Sequence, residues 1–306
     1  MRFPARPLRI DVGDVLGEQA SLAATYYPPR GAPSGGVLVC LPGGTYNRDY
    51  WDLQIPGHRN YSFAEFAAEN GYGVVTIDPL GTGESSKPTK DFDFADIAAA
   101  LARAVAALPD ATGERAPAVA VAHSLGAYLA ITQQSLFSSY AGLAVLGCTN
   151  HHVAPLNLDA AFIASAATPR GRAALAEQLL AALREPYFEG PREYLQSWFH
   201  LDDVPADVVA ADCVTAKSVV PRIFGTAMIP GVVAEHAAQI DVPVFIGYGA
   251  VDVSPEPRAE AAAYRRSPDI TTVVVPDSAH CHNMASGRHR LWRRLLAWVA
   301  TVTLSG

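Results

Sequence analysis

Apolar residues along the chain fall into short unbroken runs separated by longer stretches of helical period, and that alternation predicts an α/β fold. Leu8 to Val15 and Ser21 to Tyr27 read as two short strands, and Gly36 to Leu41 is an uninterrupted apolar run ending at Pro42-Gly43-Gly44. Unbroken runs suit strands covered on both faces. Helix is then expected over Ser62 to Glu69, strand over Gly73 to Ile77, helix over Asp93 to Leu108, strand over Ala118 to Ala122, helix over Leu125 to Phe137 and strand over Gly142 to Cys148. Repeated strand-then-helix units make a mostly parallel sheet with helices crossing its faces.

From about Val153 to Ala238 the alternation stops. Helical segments rich in Ala, Leu and aromatics replace it, among them Ala173 to Arg184 and Arg192 to His200, punctuated by Pro205, Pro221 and Pro230. Strand logic resumes at Val242 to Gly247, followed by a helix at Pro257 to Arg266, a strand at Ile270 to Val275 and a closing amphipathic helix from Arg288 to Val302. The pattern predicts one sheet interrupted by an insertion: a core domain of residues 1–152 and 239–306, and a helical cap of residues 153–238.

Composition narrows the functional classes. With 306 residues, half of them hydrophobic, the chain can bury one sizeable core. A net charge of −7 without a basic run argues against nucleic acid, whose phosphates demand a positive surface. No stretch of eighteen uncharged apolar residues occurs, and the start, Met1-Arg2-Phe3-Pro4-Ala5-Arg6-Pro7, lacks the apolar segment of a secretory signal. A soluble cytoplasmic protein, not a membrane-bound one, is expected. Cys40, Cys148, Cys213 and Cys281 are scattered, without zinc-site spacing or the density of a disulfide framework, so reduced thiols are expected.

Chemistry concentrates at Val121-Ala122-His123-Ser124-Leu125-Gly126-Ala127, where an apolar strand turns into a helix through a serine flanked two positions away by small residues. Ala122 and Gly126 let the backbone turn sharply and expose Ser124. A helix-capping serine is the plainer reading of the same residues. A serine hydroxyl is a poor nucleophile, so the functional reading requires a base, an orienting acid and oxyanion donors elsewhere in the chain.

The acid must stand at the carboxyl end of a later strand, where open α/β sheets place their sites. Asp252 meets this, in a loop closed by Pro255 and Pro257; Asp241 precedes the same strand and belongs to the wrong end. After the strand ending at Cys148 come Thr149 and Asn150, not a carboxylate. The base falls in the loop after the next strand. There the small-residue approach Ser278-Ala279 favours His280, with His282 as the rival that geometry must decide. A metal reading of His280 and His282, with His151 and His152, lacks any accompanying carboxylate cluster, and no metal is expected. Oxyanion donors are expected from the backbone of Leu125 and of Pro42-Gly43-Gly44-Thr45-Tyr46-Asn47, with Gly44 first and Thr45 second. Neither G-x-G-x-x-G nor Walker spacing is present, so these glycines do not suggest a nucleotide cradle.

Taken in order, Pro42-Gly43-Gly44, Asp78-Pro79-Leu80-Gly81-Thr82-Gly83-Glu84-Ser85, Ala122-His123-Ser124-Leu125-Gly126, Asp252 and His280 resemble the α/β-hydrolase family over nearly the whole chain outside the insertion. Two positions depart from its commoner pattern: Ala122 stands where Gly is usual and Pro42 where many members have His. The resemblance implies an eight-stranded, mostly parallel sheet, a helical cap after the sixth strand, and a Ser-Asp-His triad in this chain order. It implies acyl transfer to water without a cofactor, with a carboxylic ester of a small to medium hydrophobic substrate as the leading class. Monoesters of aromatic acids, such as monoalkyl phthalates, are one candidate.

A thioester, a lactone or a carbon–carbon bond of the meta-cleavage type would use the same machinery, and a ligand receptor on this fold is the non-enzymatic alternative. Epoxide hydrolases and haloalkane dehalogenases need a carboxylate where this chain has Ser124. For substrate contact, Tyr46 and Trp51 are expected near the floor of the pocket and His123 beside the nucleophile. Leu195, Trp198, Phe199, Ile223, Phe224, Met228 and Ile229 are expected from the cap, although packing of the cap on the sheet would account for most of them. The expected partner is the small hydrophobic ester, with a homodimer left open.

Overall fold

The computed structural model describes residues 4–31, 33–190, 192–214 and 216–304. Met1-Arg2-Phe3, which opened the sequence reading of the start, lies outside them. The core is one eight-stranded sheet built from β1 (Arg6–Val15), β2 (Glu18–Tyr27), β3 (Val37–Leu41), β4 (Gly73–Ile77), β5 (Ala118–His123), β6 (Gly142–Leu146), β9 (Val244–Gly249) and β10 (Ile270–Val275). The strand order is β1-β2-β4-β3-β5-β6-β9-β10. β1 pairs antiparallel with β2, and β2 with β4, while every other pairing is parallel.

Strand side chains alternate between faces, so each unbroken apolar run feeds two cores at once. In β3, Val37, Val39 and Leu41 join one buried cluster while Leu38 and Cys40 join the other. β6 does the same, with Leu143 and Val145 on one face and Ala144 and Leu146 on the other. The first face is covered by α2 (Phe94–Thr112) and α3 (Leu125–Phe137), through residues such as Ile97, Leu101 and Leu129. The second is covered by α1 (Phe63–Glu69) and α9 (Arg288–Leu304), through Phe63, Ala67, Trp292 and Leu295.

Between β6 and β9 lie α4 (Ala160–Ser165), α5 (Pro169–Ala182), β7 (Tyr187–Glu189), α6 (Arg192–Phe199), α7 (Ala206–Val214), β8 (Val219–Pro221) and α8 (Ala234–Ala237). This segment is not purely helical, as the sequence reading expected: β7 and β8 form a short antiparallel pair, Tyr187 opposite Pro221. Three-residue strands are too short to show a period in the sequence. Among the described residues, no helix is long and apolar enough to cross a membrane.

Other boundaries moved for identifiable reasons. The expected helix at Pro257 to Arg266 is only a 3-10 turn, Glu260–Ala263, because the Glu260 side chain is drawn inside. Its carboxylate accepts from Thr149 Oγ1 at 2.5 Å, Ser254 Oγ at 2.6 Å and Asn150 N at 2.8 Å, tying the loops after β6 and β9 together. β6 stops at Leu146 because Gly147 adopts a φ of +58. β9 starts at Val244, after Pro243, which has no N–H to give a ladder. α2 runs past Pro109 to a left-handed Gly113, with Thr112 Oγ1 satisfying the Leu108 carbonyl at 2.7 Å.

Candidate active site

Ser124 sits where β5 passes into α3, with φ 52 and ψ −120. A non-glycine residue there stores roughly 1–3 kcal/mol of strain, which the surroundings must hold. They do so from both sides. Ser124 N donates to Leu146 O at 2.7 Å, and Gly126 leaves no room for anything larger, since an added methyl would stand 2.5 Å from the Pro42 carbonyl oxygen. The Ser124 hydroxyl makes no helix-capping bond, so the plainer sequence reading of this serine does not hold. Instead its O–H donates to His280 Nε2 at 2.9 Å.

His280 Nδ1 donates in turn to Asp252 Oδ1 at 2.7 Å. That bond puts the ring proton on Nδ1 and leaves Nε2 free to accept from serine. Asp252 is buried and fully satisfied: Oδ1 also takes Val253 N at 2.7 Å, while Oδ2 takes His282 Nε2 at 2.8 Å and Gly249 N at 2.9 Å. Burial pushes the Asp252 carboxyl up, but the charges and hydrogen bonds of His280 and His282 outweigh burial and hold it well below the usual carboxylate range. The choice left open between the two histidines is thus resolved in space. His280 bridges carboxylate and serine, and His282 grips the far oxygen of the same carboxylate.

His123 packs behind this array, its ring centroid 4.6 Å from that of His280 and its Nε2 donating to the His280 carbonyl at 2.8 Å. Burial, and then the two neighbouring imidazoles, hold His123 well below its ordinary pKa of 6.5. The unfolded chain protonates this ring below about pH 6.5 while the folded one does not, so stability falls as pH drops below that value. His123→Gln is expected to flatten the dependence of unfolding free energy on pH between 6.5 and 5, by up to about 1.4 kcal/mol per pH unit. Denaturant melts at several pH values check this, and parallel curves for the two proteins would contradict it.

The loop after β3 faces the start of α3. A methyl on Gly44 would lie 3.8 Å from Leu125 Cβ, and one on Gly43 would lie 2.8 Å from His123 Nδ1 and 3.2 Å from Ser124 Cβ. Leu125 N–H stands in the first helical turn, where no intrahelical acceptor exists. Neither Gly44 N–H nor Thr45 N–H has a hydrogen-bond partner among the described residues. The three amides therefore border the serine as unpaired donors. Thr45 itself has φ 70, a left-handed conformation that a β-branched residue rarely adopts.

Ser124, His280, Gly44, Thr45 and Leu125 open together on a cavity of about 210 Å³. Leu195, Trp198, Phe199, Phe224 and Met228 line it, as the sequence suggested; Ile223 and Ile229 do not. Three residues expected in contact with substrate are elsewhere. Trp51 is buried against Phe63 and α1, and the Tyr46 ring lies beneath the Arg192 guanidinium with its hydroxyl donating to Asp212 at 2.8 Å. His123 lies behind His280 and does not line this cavity. Proximity in sequence to the site said nothing about which way these rings point.

Sequence reasoning missed Tyr128, Val153, Phe188, Val220 and Val253 on the cavity wall. Tyr128 carried a usable signal, one helical turn beyond Ser124 on α3. Gly147 was missed too: a methyl there would meet the His280 ring at 2.9 Å, so this glycine makes the space the imidazole occupies. The Asp78 to Ser85 motif supports rather than reacts. The buried Asp78 carboxylate takes Arg48 N at 2.6 Å, Arg48 Nη1 at 2.5 Å and Glu84 N at 2.9 Å, pinning the chain just beyond the oxyanion loop. Among the described residues, no group of three or more His, Cys, Asp or Glu is arranged to hold a metal ion.

A model of the alpha/beta hydrolase family matches residues 38–293. No curated protein matches the chain. Among solved structures, it is similar to a thermophilic esterase from Thermogutta terrifontis with malate bound, at 19% identity, covering 97% of this chain and 99% of that one with a TM-score of 0.66. A highly thermostable carboxyl esterase from Bacillus coagulans, in complex with glycerol, gives 14% identity, 98% and 99% coverage and a TM-score of 0.68. An E-2-(acetamidomethylene)succinate hydrolase gives 18% identity, 96% and 99% coverage and a TM-score of 0.60. At such identities these likenesses speak for the fold alone.

Proposed function

The chain belongs to the α/β-hydrolase family, and on that premise we propose that it is a serine hydrolase cleaving an uncharged carboxylic ester whose acyl group is compact and apolar. The observation that carries the reading is the unbroken relay from Asp252 through His280 to Ser124, opening on an apolar cavity. His280 Nε2 takes the Ser124 proton as Oγ attacks the ester carbonyl, and Asp252 stabilises the imidazolium that forms. The developing oxyanion is received by Leu125 N–H and by Gly44 or Thr45 N–H; losing one such donor costs roughly a hundred- to a thousandfold in rate. His280 then protonates the departing alcohol and activates the water that releases the acid.

The cavity wall supports this choice of substrate class. Among the described residues no Arg, Lys, Asp or Glu side chain lines it, so a carboxylate on the substrate would be buried without a salt-bridge partner. Monoalkyl phthalates, a candidate from sequence, fit poorly for that reason. The same proposal divides the chain into a catalytic core of residues 1–152 and 239–306 and a cap of residues 153–238 over the cavity. A cytoplasmic setting, in which the four free cysteines stay reduced, completes it.

A panel of aryl esters differing in acyl length tests the reading. Specificity is expected to peak at short to medium chains and to fall at least about tenfold, the cost of one poorly fitted methylene or more, for long chains. Esters bearing an acyl carboxylate are expected to be poor substrates. If no ester is hydrolysed above the Ser124→Ala control while a ligand still raises thermal stability, the protein is a receptor and the enzyme reading is wrong.

A further inference from the structure

Pro42 stands where many members of the family have histidine, and here the oxyanion loop is held by the segment after β6. Thr45 O accepts Ser218 N at 2.9 Å, and Asn47 N donates to Ala216 O at 2.7 Å, so the loop is paired with the chain leading into β8. At the start of α6, the Arg192 guanidinium lies 3.9 Å from the centroid of the Tyr46 ring and donates to Thr45 O at 3.4 Å. Arg192 also pairs with Asp212 Oδ1 at 2.8 Å and donates to the Asp212 carbonyl. Asp212, 1% exposed, takes the Tyr46 hydroxyl at 2.8 Å and His200 Nε2 at 3.0 Å as well. At the far end of α6 the carbonyls of Trp198 and Phe199 accept the backbone N–H groups of His280 at 3.2 Å and Cys281 at 2.9 Å. One eight-residue helix, about 12 Å long, therefore spans from the oxyanion loop to the base loop.

We propose that Arg192 and Asp212 are positioning residues: their buried ion pair fixes α6 and the Thr45-Tyr46 turn, and so sets the oxyanion donors and the His280 imidazole relative to Ser124. The proposal rests on the ester-hydrolase reading. Neither side chain lines the cavity, so both act through Thr45, Tyr46 and the base loop rather than on substrate. Stability alone is a weak reason for such a pair, because replacing a buried ion pair with well-packed apolar groups is often neutral or stabilising. The strained φ of Thr45 gives a stronger one, since an unfavourable backbone conformation persists only where neighbouring contacts over-determine it.

The test compares kcat and KM on the best aryl ester, per mole of folded protein, with melting temperatures by circular dichroism. The proteins are wild type, Arg192→Lys, Arg192→Met, Asp212→Asn and the double variant Arg192→Met with Asp212→Leu. In the Met and Asn variants kcat is expected to fall roughly ten- to a hundredfold, as misplacement of reacting groups by about 1 Å does, with KM nearly unchanged. Arg192→Lys should recover part of the loss, keeping the charge without the planar fork. The double variant should regain melting temperature but not kcat, and it decides the matter alone should the single variants fail to fold. Wild-type kcat in any folded variant that lacks the ion pair, or recovery of kcat together with stability in the double variant, overturns the proposal. Absence of turnover in the wild type overturns the ester-hydrolase reading beneath it, and is seen before any variant is measured.

Discussion

Ser124→Ala is expected to lower kcat by roughly ten-thousand- to a millionfold, the range lost when the nucleophile of a serine triad is removed. The fold should survive. The change deletes one oxygen from a partly buried side chain that, among the described residues, hydrogen-bonds to His280 alone, and the strained backbone is held by Ser124 N and Gly126, which the substitution leaves in place. Alanine tolerates the positive φ no worse than serine does. Steady-state kinetics on the best ester, beside a melting curve, separate the two quantities. A loss of less than about tenfold, where the oxyanion donors and binding alone should leave only a residual rate, would mean that another group attacks.

Asp252→Asn is expected to cost about ten-thousandfold in kcat for a different reason. An amide nitrogen opposite His280 Nδ1 would move the ring proton to Nε2, where it blocks acceptance from Ser124. Here the carboxylate also holds His282, so its loss leaves two buried imidazoles competing for one amide. His282→Ala, by contrast, removes a support and leaves the relay intact, so its effect on kcat should be far smaller than that of His280→Ala. Rates for the three variants on one ester rank them. Equal losses for the two histidine variants would contradict the roles drawn from the geometry.

Much of this site was legible before any coordinates, because chain order and strand ends constrain it. Ser124, Asp252 and His280 each follow an apolar run, and parallel strands bring the ends of such runs to one edge of the sheet. The two-faced burial of β3, β5 and β6 was legible for the same reason. What stayed hidden lacked any spacing signal. Arg192 and Asp212 are 20 residues apart, and Tyr46 is 166 from Asp212, so nothing in the sequence links them. The placement of Tyr46 and Trp51 failed on direction: position on the loop was read correctly, but the rings turn toward Arg192 and α1, away from the cavity. The helix expected at Pro257 to Arg266 failed because one buried carboxylate, Glu260, serves four donors and overrides local propensity.

Whether Ser124 is an activated nucleophile is decided by reacting the folded protein with a fluorophosphonate and mapping the modified peptide. A single stoichiometric adduct on Ser124 is expected, lost in His280→Ala and in protein denatured before labelling. An unmodified protein, or an adduct on any other residue, would contradict that role.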